Sequence, residues 1–220
     1  AVPAREDPRD VLVARDRLTL GELPEGSVLG TGSPRRAAQL LALGLGLVVE
    51  PIRGNVDTRL AAVTSGRVDG VVLAAAGLRR LGRHDEVTEV LDPTQLLPAP
   101  AQGALAVEIR ADDDAVAAWV AVLDDPATRA AVVAERAVLE ALEAGCSAPV
   151  GALADIALGD PGDDGEPDEL YLRASVTAVD GSDAVRLSAT GPLTDAGDIG
   201  RRLAAELIDL GADTMMGSST

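Results

Sequence analysis

Ser27-Val28-Leu29-Gly30-Thr31-Gly32-Ser33-Pro34-Arg35-Arg36 runs from an apolar strand through a glycine turn into the start of a helix. Ser33 stands at the N-cap and Pro34 at the first helical position, where its missing N–H costs nothing. Ala37, Leu40, Leu41 and Leu45 continue at helical spacing. Strand, tight turn and capped helix together offer backbone N–H groups to an anion. Similar units lie on either side. Residues 11–14 form a short strand candidate. Residues 47–52 form another, followed by Arg53-Gly54-Asn55-Val56-Asp57-Thr58-Arg59 and a helix over about 58–65. Residues 68–76 are a continuous apolar run suited to a buried parallel strand. Gly77-Leu78-Arg79-Arg80-Leu81-Gly82 then opens a helix or turn. Strands alternating with short helices predict an α/β domain with a parallel or mixed sheet. Ligands of such sheets sit at the carboxyl ends of the strands, where three of these arginine groups fall.

Further along, the pattern changes. Residues 92–103 are Pro-rich and extended, suited to crossing between domains. Residues 104–109 read as an apolar strand and 112–123 and 125–144 as helices, the second with Ala127, Ala130, Val133, Ala137, Leu139 and Leu142 on its apolar face. Gly145 is the expected C-cap of that helix, which leaves Cys146 on an exposed Gly/Ser/Pro loop. Strands over 150–158, 170–179 and 184–190, an acidic Gly-rich connection at 159–169, an Asp180-Gly181 turn and a helix over 195–210 predict an antiparallel α+β module. Residues 215–220 read as a frayed tail.

Composition narrows the function. The chain has a formal charge of −17, which argues against nucleic acid as a partner. Between Ser33 and Arg83, however, eight arginines face only Glu50, Asp57 and Asp69, a basic island in an acidic protein. All nineteen basic residues are arginine, so no Schiff-base lysine exists within these residues. Aromatics are nearly absent (Trp119, Tyr171, no Phe), so cores must be built from Ala, Val, Leu and Ile. One cysteine excludes an intramolecular disulfide, and no stretch has the length and apolarity of a signal peptide or a membrane span. A soluble, cytoplasmic protein is expected. The opening Ala1-Val2-Pro3-Ala4-Arg5-Glu6-Asp7-Pro8-Arg9-Asp10 reads as a connector, the start of the C-terminal part of something longer. A lone thiol on a loop, combined with many guanidiniums, suits a covalently held polyanionic group.

Six segments in order resemble the porphobilinogen deaminase (hydroxymethylbilane synthase) family. They are Arg5-Glu6-Asp7-Pro8-Arg9-Asp10, Gly30-Thr31-Gly32-Ser33-Pro34-Arg35-Arg36, Arg53-Gly54-Asn55-Val56-Asp57-Thr58-Arg59-Leu60, Ala76-Gly77-Leu78-Arg79-Arg80-Leu81-Gly82, Pro98-Ala99-Pro100-Ala101-Gln102-Gly103-Ala104, and Glu135-Arg136 through Gly145-Cys146-Ser147-Ala148-Pro149-Val150-Gly151. The resemblance implies three α/β domains, the first two like type II periplasmic binding proteins. On that basis 1–8 and 98–123 are a remnant of the first domain and the crossover, 9–97 the second domain, and 124–220 a C-terminal cofactor-attachment domain, with most of the first domain absent.

The resemblance also implies an activity: four porphobilinogen molecules condense stepwise, with loss of ammonia, on a cysteine-linked dipyrromethane primer, giving the linear tetrapyrrole. Cys146 matches the attachment cysteine. Thr31, Ser33, Arg35, Arg36 and Arg80 match cofactor-binding positions, and Arg53 and Arg59 substrate-binding ones. Guanidinium suits this role because it binds carboxylates in bidentate fashion and stays charged at any relevant pH. Arg79 and His84 read as surface residues, and Asp7, Asp10 and Asp57 as structural or capping groups. The family's catalytic aspartate belongs to a His-Ser-Xaa-Lys-Asp-type segment that these residues lack, which implies little turnover from them alone and an apolar strand at 104–109 prone to aggregate. The partners implied are porphobilinogen and the growing polypyrrole, with no nucleic acid or membrane, on a monomer. The alternative is a non-catalytic, binding-protein-like ligand-binding module.

Overall fold

The computed structural model describes residues 1–145, 148–157, 159 and 168–216. Two sheets organise them. In the first, β1 (Asp10–Ala14) pairs antiparallel with β4 (Gly70–Ala74), Leu12 lying opposite Val72. β2 (Val28–Thr31) runs parallel to β4 on one side and to β3 (Val48–Pro51) on the other. The two-residue β5 (Glu89–Val90) closes the far edge, giving the order β3-β2-β4-β1-β5. The sheet is therefore mixed.

Both faces of this sheet are covered, which explains why its central strands are apolar but for Asp10 and Thr31 at their ends. Val11, Val13, Val71 and Leu73 face a core shared with Ile52, Leu60, Val63 and Leu78. Leu12, Leu29 and Val72 face the other, with Leu20, Leu40, Leu91 and Leu96. Helices leave the carboxyl ends of the three parallel strands: α1 (Pro34–Ala42) after β2, α2 (Val56–Thr64) after β3, and α3 (Ala75–Arg80) directly after β4.

Residues 91–110 then cross without regular structure. The strand expected at 104–109 does not form. Among the described residues, Ala104 only turns back to the Ala101 carbonyl at 3.1 Å, Val107 alone pairs with another segment, exchanging hydrogen bonds with Ala1 at 2.9 and 3.3 Å, and Leu105 stays half exposed. A strand needs a neighbour along its length to satisfy its N–H and C=O groups, and one paired residue does not supply it. The helices expected next are present as α4 (Asp114–Val120) and α5 (Pro126–Ala141), capped by Asp113 and Asp125.

The second sheet is the antiparallel β6 (Val150–Ala157), β7 (Glu169–Thr177) and β8 (Ala184–Pro192). One face is packed by α5 and by α6 (Ala196–Asp209), through Ala134, Val138, Leu172, Ala174, Ile199, Leu203 and Leu207. Two local readings need correction. The helix α5 ends in a Schellman motif whose left-handed residue is Glu143 (φ 50°), not Gly145. The Ala144 N–H reaches the Leu139 carbonyl at 3.0 Å and the Glu143 N–H that of Glu140 at 2.9 Å, while Leu142 is buried. Burying Leu142 sets where the helix stops, and that places the strain on a non-glycine residue. At the other end, a short α7 (Ala212–Met215) buries Ala212, and Met215 and Met216 pack on the core instead of fraying. Residues 217–220 lie outside the described residues.

α5 and α6 cross at Gly200. A methyl there would sit 2.7 Å from the Ala137 side chain and closer still to the Ala134 carbonyl. Gly200→Ala should therefore destabilise the fold by about 1–3 kcal/mol in urea titrations, despite alanine's higher helix propensity, because overpacking outweighs the ~1 kcal/mol propensity gain.

Candidate functional site

The carboxyl ends of β2 and β3 meet in a turn that has no room for side chains. A Cβ on Gly32 would lie 2.7 Å from the Ile52 carbonyl, and the guanidinium of Arg59 sits 4.0 Å from the same point. Thr31, buried at the end of β2, accepts the Ser33 N–H through its hydroxyl at 3.2 Å. Ser33 caps α1 as expected, accepting the Arg36 N–H at 3.4 Å. On the neighbouring helix, Asn55 caps α2 through the Thr58 N–H at 2.9 Å. Gly54 takes a φ of 113°, which aims its carbonyl at Arg59 Nε, 3.0 Å away. Arg59 is thus steadied over the glycine turn with its terminal nitrogens uncommitted among the described residues.

The other arginines divide into two kinds. Arg53 is exposed and has no acceptor among the described residues. Arg80, exposed on the last turn of α3, donates to the Gly103 carbonyl at 3.0 Å. Arg35 and Arg36 are instead buried on α1 around Asp10, which is itself wholly buried. Arg35 Nη2 lies 2.8 Å from one carboxylate oxygen, and Arg36 approaches the other through Nη2 at 2.7 Å and Nε at 2.9 Å. Arg36 also donates to the Val72 carbonyl and Arg35 to that of Leu97. Arg35 Nε is shielded from solvent with no acceptor among the described residues. Burial alone would push the Asp10 carboxyl up, but the two guanidiniums and the Gln102 amide hold it below the usual carboxylate range. Burial pulls Arg35 down, against the opposing attraction of Asp10. Arg79 pairs with Glu6 at 2.9 Å on the surface, Asp57 pairs with Arg83, and His84 is exposed.

Cys146 and Ser147 lie outside the described residues. The segments on either side of them are anchored by a second buried cluster. Glu135, wholly buried on α5, receives Arg5 in bidentate fashion at 2.6 and 3.0 Å, the Ala101 N–H at 2.6 Å and the Ala154 N–H at 2.8 Å. Burial raises its carboxyl, against the pull of Arg5 and the two amides. Next to Ala101, the Gln102 amide donates to the Pro8 carbonyl at 2.7 Å and to Asp10 at 2.8 Å.

Asp10 appeared in the sequence only as a structural or capping group, and Glu135 only inside a motif. Gln39, whose carboxamide clasps both the N–H and the carbonyl of Leu97, was missed altogether. A usable signal was present: each is a polar residue on an otherwise apolar strand or helix stripe, the position where a buried polar group must have a partner.

Comparison with known proteins bears on this arrangement. A family model described as porphobilinogen deaminase, dipyromethane cofactor binding domain, matches residues 1–118, and one for the porphobilinogen deaminase C-terminal domain matches 129–209. The chain belongs to the porphobilinogen deaminase family. Porphobilinogen deaminases of Mycobacterium bovis (strain BCG / Pasteur 1173P2) and Mycobacterium avium (strain 104) are each 60% identical to it over 98% of this chain, covering 70% and 69% of their own lengths. That of Mycobacterium marinum is 58% identical over 98% of the chain and 69% of its own length. Membership in the porphobilinogen deaminase family makes this a transferase of porphyrin and haem biosynthesis with dipyrromethane as its cofactor. No helix among the described residues is long and apolar enough to cross a membrane.

Replacing Asp10 by Asn leaves two buried guanidiniums without a counter-charge. Urea unfolding at pH 7 should show a loss of about 3–5 kcal/mol relative to the unaltered chain. Because the folded Asp10 carboxyl is held low, its contribution is complete above the unfolded value of ~3.9 and is lost as pH falls through the folded one. The gap between the two proteins should therefore narrow in acid.

Proposed function

We propose that these residues tether a dipyrromethane through Cys146 and cradle its carboxylates, and those of the porphobilinogen-derived chain built on it, at the carboxyl ends of β2, β3 and β4. The observation that carries this reading is the placement of Arg59 over a glycine turn that admits no side chain, with Arg53 exposed just before α2. Polycarboxylate pyrroles fit such a donor set. Ser33 and Thr31 supply hydroxyls, and guanidinium offers two parallel N–H groups per carboxylate. We assign Arg53, Arg59 and Arg80 to direct contact with acetate and propionate groups, and Ser33 and Thr31 to the rim. Arg35 and Arg36 would contribute the donors that Asp10 leaves over, Arg35 Nε among them, and fix the helix that presents them.

When bound, dipyrromethane supplies a nucleophilic pyrrole carbon on which four porphobilinogen units are joined with loss of ammonia. The chain's own residues bind and orient. Arginine keeps its charge at every pH the reaction meets, so holding the acid groups does not depend on a proton. Cys146 would act as thiolate in the single attachment event, for which an ordinary thiol pKa of ~8.5 is adequate. The strand order β3-β2-β4-β1-β5, with one antiparallel strand inserted among parallel ones, supports reading the first sheet as the type II binding-protein-like domain. We place the protein in the cytoplasm, where porphobilinogen is the small-molecule partner, and take it to act as a monomer.

The test is intact-mass measurement and an aldehyde colour reaction for pyrroles after incubating the purified chain with preformed hydroxymethylbilane. A pyrrole mass increment on Cys146, absent from Cys146→Ala, is expected. Arg59→Gln should lower the extent of loading at limiting pyrrole about tenfold, the loss of one charge-assisted contact. An unmodified chain, or equal loading of Cys146→Ala, would reject the assignment.

A further inference from the structure

The face of the second sheet that turns away from α5 and α6 is not bare. Tyr171, Arg173 and Ser175 project to it from β7, and Arg186 and Ser188 from their register partners on β8. The crossing segment 93–97 passes over it, and between them lies a recess of about 420 Å³ lined by Pro93, Thr94, Leu97, Tyr171, Arg173 and Leu187 among others. That volume is within the range of small-molecule sites. Its walls combine an apolar floor with cations, a composition that an ordinary domain seam does not need.

The two arginines of the recess are not equivalent. Arg173 pairs with Asp155 at 2.5 Å and lies over the Tyr171 ring, 5.7 Å from its centre. Its Nε is shielded from solvent and has no acceptor among the described residues. Arg186 forms no ion pair among the described residues; its guanidinium donates to the Thr94 carbonyl at 2.5 Å. So the recess holds a guanidinium with no ion-pair partner among the described residues and an aromatic ring beside Pro93 and Leu97. A cationic ligand is repelled by that guanidinium, a neutral one forgoes the charge-assisted contact, and a bare inorganic anion leaves the apolar wall wet.

We propose that this recess binds a small aromatic carboxylate, its acid group held by Arg186 and its ring seated against Tyr171, Leu97 and Pro93. The site is separate from the glycine turn and its arginines, and it does not depend on the function proposed for them. It does share a wall with them: Leu97, which lines the recess, gives its carbonyl to Arg35 and Gln39. A ligand pressed against Leu97 therefore bears on the segment that positions α1.

The probe is 1-naphthoate, titrated calorimetrically into the purified chain, with the uncharged 1-naphthalenemethanol as its partner. Saturable one-to-one binding of naphthoate and at least tenfold weaker binding of the alcohol are expected, since a charge-assisted contact is worth roughly that factor. Arg186→Gln, an exposed position whose change should leave circular dichroism intact, should weaken naphthoate about tenfold. Arg201→Gln, which removes a surface pair with Asp198 on α6, should not. Tyr171→Leu provides a second variant that alters the ring and leaves the charge, and it too should weaken binding. No saturable binding at millimolar naphthoate, equal affinity for acid and alcohol, or equal affinity in Arg186→Gln would each overturn the proposal.

Discussion

One buried carboxylate, Asp10, sets the geometry of the first sheet and of the helix that carries the arginine pair. It sits at the start of β1, wholly out of water, with Arg35 on one oxygen and Arg36 on the other. An arrangement of this kind contributes little net stability compared with apolar packing, because three charges must be desolvated to make it. Its effect is positional. Two guanidiniums that share a carboxylate cannot slide along the sheet, so α1 is locked in register with β1, and through the Val72 carbonyl with β4. The turn Gly32-Ser33 that opens α1 is held still as a consequence.

A second carboxylate extends that register across the molecule. Glu135 on α5 gathers Arg5 from the opening segment, the Ala101 amide from the crossing segment and the Ala154 amide from β6. All four of its contacts are strong, and every one reaches a different piece of chain or a different atom of it. Gln102 follows Ala101 directly and bonds Asp10, so the two buried acids are joined by two adjacent residues. Ala101 adopts a φ of 62°, an uncommon conformation for alanine that the Glu135 contact compensates. The route from the helix preceding Cys146 to the arginines on α1 is therefore a continuous set of ionic and hydrogen bonds.

Periodicity made the strands and helices legible because burial imposes it. β1 after Asp10 and β4 are apolar, as a strand covered on both faces must be, and Ser33 and Pro34 marked the start of α1. The segment 104–109 has the same apolar look but no strand beside it, and pattern alone cannot say whether a partner is present. The end of α5 was misread for a related reason: glycine is the usual left-handed residue, yet the depth of Leu142 fixes the last turn and leaves that conformation to Glu143. As for the proposed site, the sequence singled out a group of arginines but could not sort them. Arg35 and Arg36 are adjacent in the chain and both turn inward to Asp10, which lies twenty-six residues before Arg36. Only the fold distinguishes a guanidinium spent on a carboxylate of its own chain from one, such as Arg53 or Arg59, with no carboxylate partner among the described residues.

That distinction bears on how an acidic protein can hold a polyacid at all. A formal charge of −17 would repel a ligand carrying many carboxylates if charge acted as a sum. In physiological salt it does not, because exposed charges are screened beyond about 8 Å. What the ligand meets at contact is the local set, and the surface between Ser33 and Arg83 carries an excess of arginine. Had Asp10 been exposed beside that set, it would have competed for the same guanidiniums. Buried against Arg35 and Arg36 it cannot, and its charge is cancelled where it lies. The acid that fixes α1 is thereby kept from the exposed guanidiniums of the proposed site.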